Sequence, residues 1–213
     1  MERHRNISIA DQVFEKLENE ILNGIYSKGE ILTEIGLSEK LGVSRTPIRE
    51  AISRLQQEHL IEYIPKGIIV VGISFEDIQL IFEIRLRIEG MAARLAAKNA
   101  TDDQIEEMKQ IVDLQEFYCL KSDSENMKLM DTSFHNVLYK MMNSTHFYEV
   151  LHELHKKTMK YRGTSIQSKD RAEQSVYEHR NIYEAIANHN ENQAEKAILI
   201  HIENAKKNIL KIN

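Results

Sequence analysis

Very little in this sequence can break a helix or cross-link it. The chain of 213 residues holds two prolines, Pro47 and Pro65, and none after them. Beyond residue 65, then, no pyrrolidine ring removes a backbone donor. The single cysteine, Cys119, excludes an internal disulfide. No apolar run approaches the length of a membrane span, and there is no low-complexity tract or repeat of fixed period. The opening residues Met1-Glu2-Arg3-His4-Arg5-Asn6 lack the apolar core of a signal peptide, so a cytoplasmic, reduced setting is expected. Broad basicity is missing too: residues 1–72 carry nine Lys/Arg against eleven Asp/Glu, a net charge of −2, which is not the balance of a domain that coats a polyanion. What is present, 42 % hydrophobic and 29 % charged residues, is ordinary for a globular protein long enough for two domains.

Positive charge is instead local. Ser44 to Leu55 holds three arginines and one glutamate. Ser44 or Thr46 can cap this helix, and Pro47 falls in its first turn, where a missing N–H costs nothing. Ile48, Ile52 and Leu55 recur at i, i+4 and i+7 and can pack inward, leaving Arg45, Arg49 and Arg54 for solvent or phosphate. Upstream, Ile9, Val13, Leu17 and Ile21 predict a helix over 8–23 closed by Gly24. A second helix from a Thr33 cap to Leu41 stops at Gly42. Downstream, Leu60–Ile64 and Ile68–Val71 are β-branched runs around Pro65-Lys66-Gly67, which predicts a hairpin. Helix, tight turn, helix and hairpin make a winged helix-turn-helix, although the same elements also suit a small α+β domain with a solvated basic face.

Residues 8–72 resemble the DNA-binding domain of the GntR family of bacterial transcription regulators, most closely at Val43-Ser44-Arg45-Thr46-Pro47-Ile48-Arg49-Glu50-Ala51. The resemblance implies that Arg45 and Arg49 meet the major groove, Thr46 a phosphate, Arg54 the flanking backbone, and Lys66-Gly67 the minor-groove side through the wing. Family members often carry an arginine just after the residue equivalent to Glu34; here Ile35 stands there, which removes a phosphate contact or leaves it to another residue.

After Gly72 the pattern is helical throughout, predicting a domain boundary near 72–74, a DNA-binding domain over 1–72 and an all-α antiparallel bundle of six or seven helices over 73–213. Helices are predicted at 75–98, 102–120, 124–142, 146–162, 171–187 and 191–210, with Ser74/Asp77 and Thr101/Gln104 as cap pairs. In the first, Ile78, Ile81, Arg85, Ile88, Ala92 and Leu95 form one stripe, so Arg85 sits where the pattern reserves core. It needs either Glu89, one turn on, or a ligand's carboxylate.

Other polar residues break the stripes in the same way. Asp131 and His135 share a helix face, His179 runs with Ile182 and Ile186, and His201 with Ala194, Ile198 and Ala205. His179 and His201 lie eleven residues either side of Asn190, at one height in an antiparallel hairpin. Three imidazoles and a carboxylate suit a divalent cation with open positions, against the alternative of satisfied core histidines. His152 and His155 could also chelate, but Leu151 and Leu154 define that helix's expected inward face, which puts the two histidines near its margin.

Residues 74–210 resemble the FCD ligand-binding domain of the FadR subfamily, through Phe82-Glu83-Ile84-Arg85 with Glu89, Asp131/Phe134/His135, Glu178-His179 and His201. The resemblance implies that Asp131, His135, His179 and His201 bind Zn²⁺ or Ni²⁺ and that Arg85 helps to hold an organic acid that also touches the metal. His146 departs from the asparagine of many relatives, and Met141-Met142 offers an adaptable lining. A homodimeric repressor of a palindromic operator is expected, with no membrane partner. The alternatives are a metal that is itself the signal or purely structural, and a metal-dependent hydrolase.

Overall fold

The computed structural model describes residues 8–158 and 168–212. The chain divides into two compact units, Met1–Phe75 and Glu76–Asn213.

In the first unit α1 (Ile9–Leu22) opens on a reciprocal cap. The Ser8 hydroxyl accepts from the Asp11 N–H, and the Asp11 carboxylate accepts from Ser8 in return. Val13, Phe14, Leu17 and Ile21 are buried, whereas Ile9, the first residue of the predicted stripe, is 58 % exposed. Thr33 caps α2 (Glu34–Leu41) by accepting from Gly36, and Gly42 ends it in the left-handed region at φ 66°. Helix α3 (Arg45–Gln57) follows at once. Ser44 occupies its cap position without a side-chain cap bond, so the turn through Gly42 and the first-turn Pro47 set the start. Ile48, Ala51, Ile52 and Leu55 line its buried face and join α1 and Leu37 in one core.

The hairpin forms as β2 (Ile61–Ile64) and β3 (Gly67–Val70), antiparallel with Ile64 opposite Gly67. A third strand, β1 (Ile31–Leu32), pairs with the other edge of β3, giving the order β1-β3-β2. Two residues are too short a run to show a period of two, so the sequence gives no sign of it. At Gly67 φ is 141°, and a Cβ would lie 2.6 Å from the Leu32 carbonyl oxygen, so only glycine allows the wing to pass so close to β1.

The second unit is helical among the described residues: α4 (Phe75–Asn99), α5 (Asp102–Leu120), α6 (Ser124–Lys140), α7 (Thr145–Lys157), α8 (Lys169–Ala187) and α9 (Glu191–Ile212). The predicted 146–162 helix ends at Lys157, and its last residues, 159–162, lie outside the described residues. Thr101 and Gln104 form the reciprocal cap expected of them. Glycine is so scarce here that helix ends use other residues: Ser122, Asn143 and His189 all have φ between 51° and 55°. Helix α5 packs on α6 and α8, α6 on α7, and α8 on α9. The buried stripe of α4 is rotated from the predicted one. Phe82, Glu89, Ala93 and Ala96 are buried beside Ile78, Ile81, Arg85 and Ala92, while Ile88 and Leu95 are half-buried.

Because Ile52 is 1 % exposed against α1 and opposite the arginine face, Ile52→Ala is expected to cost about 2–5 kcal/mol through an unfilled cavity. Chemical denaturation followed by circular dichroism checks this; a loss below about 1 kcal/mol contradicts the packing.

Candidate DNA-reading helix and candidate metal centre

With Ile48, Ile52 and Leu55 fixing one side of α3, Arg45, Thr46 and Arg49 stand exposed at its N-terminal end. Their charge is held by a neighbour. Glu34, at the start of α2, accepts from Arg45 Nη2 at 2.9 Å and from Arg49 Nε at 2.8 Å. The two hydrogen bonds, Arg45's first, draw the Glu34 carboxyl below its ordinary pKa. Arg54 faces differently. Its guanidinium lies over the Phe14 ring at 3.8 Å and donates to Asp11 at 2.7 Å, so it ties α3 to α1. Lys66 is exposed at the wing turn next to Gly67, and Ile35 is 56 % exposed on α2.

In the second unit the four residues singled out as ligands come together. His135, His179 and His201 are all buried, and one ring nitrogen of each lies within 4.8 Å of the others. Asp131 Oδ1 is 3.9 Å from His179 Nε2. Two donors about 2.1 Å from one cation stand at most about 4.2 Å apart, so small side-chain adjustments bring this set onto an ion.

The outer ring nitrogens decide which atoms face inward. Glu178 Oε2 lies 2.8 Å from His201 Nδ1 and, as a carboxylate, can only accept, so a proton sits on Nδ1 and, in the neutral ring, the lone pair falls on Nε2. The carbonyl oxygen of Gln115, 2.9 Å from His179 Nδ1, does the same for that ring. His135 Nδ1 faces the Tyr139 hydroxyl at 3.4 Å and Glu89 Oε2 at 3.9 Å, and its Nε2 is buried with no hydrogen bond. Phe134 stacks on the His179 ring, centroids 4.2 Å apart and planes 17° from parallel. Glu178 is itself pinned by Arg171 at 3.1 Å and Asn204 at 2.7 Å.

Arg85, 1 % exposed, pairs with Glu89 one turn along α4, the purely structural partner anticipated for it. The guanidinium also lies beside Tyr139, whose hydroxyl is raised well above its ordinary pKa by burial and then by Glu89.

One expectation is corrected. His155 is not at the margin of α7: it is 2 % exposed and inside the cluster, its ring 4.3 Å from that of His135, while His152 is only half-buried and bonds Asn136. The inward positions of α7 are Leu151, His155 and Thr158, at i, i+4 and i+7, with Leu154 half-buried. Reading Leu151 with Leu154 chose the wrong pair of spacings. Gln115 was missed on a similar signal, a polar residue continuing the buried stripe Met108, Ile111 and Val112.

Burial, followed by the neighbouring imidazoles, pulls His135 well below the ordinary histidine pKa. Burial and Arg85 do the same to His155.

A winged helix-turn-helix followed in the chain by a histidine-lined helical bundle is the architecture of a DNA-binding transcription regulator. Residues 9–71 match the model described as bacterial regulatory proteins, gntR family, and residues 80–204 match the FCD domain. The chain belongs to the GntR family of transcription regulators, in the branch with an FCD domain, and not to a family of enzymes. It is 32 % identical to the Uxu operon regulator of Haemophilus influenzae, over 92 % of this chain and 80 % of that protein. It is 24 % identical to the HTH-type transcriptional repressor RspR of Escherichia coli, over 96 % and 90 %. The solved structure of E. coli McbR/YncC superposes with a TM-score of 0.83 at 20 % identity, covering 97 % of this chain and all of that one, and shows the same fold. Among the described residues no helix is long and apolar enough to cross a membrane.

Histidines held neutral when folded but titrating near pH 6.5 when unfolded bind more protons in the unfolded state. Stability of the metal-free protein is therefore full above about pH 6.5 and is lost as pH falls below it. Thermal melts between about pH 7.5 and pH 5, recorded with chelator, are expected to show the midpoint falling with pH; a flat profile contradicts neutral burial.

Proposed function

We propose that this protein is a homodimeric repressor that binds a palindromic operator and whose FCD domain holds a divalent cation, Zn²⁺ or Ni²⁺, as the anchor for a small carboxylate effector. The observation that carries the reading is the convergence of His135, His179 and His201 with each Nδ1 turned outward to a hydrogen-bonding partner. Any buried imidazole must pair its N–H, but pairing all three on the outer side turns the opposite nitrogens toward one another, which is how metal-ligand histidines are held. Asp131 supplies the oxygen donor, and the remaining coordination positions are where an effector's carboxylate would bind. Such a cation would polarise the bound acid and neutralise its charge in an otherwise buried place.

In this reading Arg45 and Arg49 exchange Glu34 for guanine edges or phosphates, Thr46 takes a phosphate, and Lys66-Gly67 brings the wing to the adjoining groove. Arg54 reaches the flanking backbone with whatever its Asp11 pairing leaves exposed. Repression is supported by the likeness to transcriptional repressors such as RspR. The effector works only if it binds the DNA-competent and DNA-incompetent arrangements unequally. A cation-only signal is favoured by one observation, the commitment of Arg85 to Glu89 instead of an open pocket.

Native mass spectrometry of protein purified without chelator is expected to show a dimer with one divalent cation per chain, and His179→Ala to lose it; a metal-free wild type overturns the reading. Arg49→Ala is expected to weaken operator binding about tenfold or more at physiological salt while keeping the metal. Operator titrations with Zn²⁺ alone and with Zn²⁺ plus organic acids separate the effector from the cation-only signal, since only the first needs the acid to change affinity.

A further inference from the structure

His155 differs from the other three buried imidazoles in what its outer nitrogen meets. His179 and His201 turn Nδ1 to an acceptor, and His135 turns it toward a hydroxyl and a carboxylate. Nδ1 of His155 faces Arg85 Nη2 at 3.5 Å. A guanidinium has only N–H donors, so the facing nitrogen must offer its lone pair and the proton of neutral His155 falls on Nε2. Arg85 is held in place by its pairing with Glu89, both side chains being buried.

Nε2 of His155 points toward the cluster. It is buried without a hydrogen bond and stands 3.8 Å from Asp131 Oδ2, too far for one, although His155, Asp131 and His135 also bring ligand-type atoms within 4.8 Å of one another. A metal ligand must present a lone pair, and here the inward atom presents a hydrogen. A buried donor aimed beside a cation site calls for an acceptor.

Resting on the metal-centre reading above, we propose that His155 is not a ligand of the cation but the donor for the acid bound there: its Nε2–H holds one carboxylate oxygen while the other takes an open position on the metal. Arg85 then acts through His155, as the positioning residue that fixes its tautomer. The arrangement selects ligands that bring an anionic acceptor and rejects amines, which would set N–H against N–H.

The test uses the full chain loaded with Co²⁺, whose visible spectrum reports the number and kind of ligands, with acetate and citrate as probes. His155→Leu is expected to bind Co²⁺ within about threefold of wild type and with the same spectrum, and to need at least about tenfold more acetate or citrate for the same spectral change. His155→Gln, which restores a donor, is expected to recover at least half of that loss on a logarithmic scale. A drop in Co²⁺ affinity beyond about tenfold with an altered spectrum makes His155 a fourth imidazole ligand and overturns the proposal. An unchanged anion response in His155→Leu, or no wild-type response to either probe at about 10 mM, overturns it as well. A wild type that takes up no Co²⁺ overturns the metal reading itself, an outcome distinct from the others because they require loaded protein. Should His155→Leu not fold, the nitrogen-15 spectrum of Zn²⁺-loaded wild type decides: a proton on Nε2 of His155 and on Nδ1 of the other three is expected, and a metal-bound Nε2 at His155 refutes the proposal.

Discussion

A buried neutral imidazole has one proton to place, and the side of the ring that receives it decides what the other side can do. In the helical unit that choice is made by groups behind the histidines: Gln115 on α5, Glu178 on α8, and Glu89 with Tyr139 near His135. Each is buried or nearly so, and Glu178 is held by Arg171 and Asn204 in turn. Burial makes these placements firm, since a polar group without its partner in such a setting costs roughly 1–3 kcal/mol. The same burial keeps His135 and His155 uncharged, the state that a cation requires of any imidazole ligand.

The two units solve opposite problems. In the helical unit polar side chains are taken out of water and must be satisfied one by one. In the winged unit Arg45 and Arg49 stay in water on a helix whose other face is fully committed to the core. Helix α3 can present arginines because Ile48, Ala51, Ile52 and Leu55 hold it, and Glu34 keeps Arg45 and Arg49 near one orientation without burying them. Such exposed pairs add little to stability, so what Glu34 contributes is placement.

Most of this fold could be read from spacing. The stripes in α1 and α3, the Thr33 and Thr101 caps and the Gly42 stop are local signals that tertiary structure had no cause to override. Strand β1 was hidden because its two residues gain their conformation from β3 and not from their own pattern. In the site, Arg85, Asp131, His135, His179 and His201 announced themselves as polar residues on apolar stripes. His155 did so less clearly, because Leu151 fits a stripe with either Leu154 or His155, and only the packing of α7 distinguishes the two. The tautomers lie beyond any sequence pattern, since they depend on atoms brought together from helices as far apart in the chain as α5 and α8.

The turn between α8 and α9 is short and lies at the surface, the kind of place where insertions are usually tolerated. Here it is anchored: His189, in the left-handed region, approaches the Ala97 carbonyl oxygen at 2.7 Å through Nδ1. Each added residue would turn the following helix by about 100° about its axis and advance it by about 1.5 Å. His201 would leave the interior and an exposed neighbour would take its place, so the length of this exposed turn is as much a part of the buried cluster as the histidines it brings level.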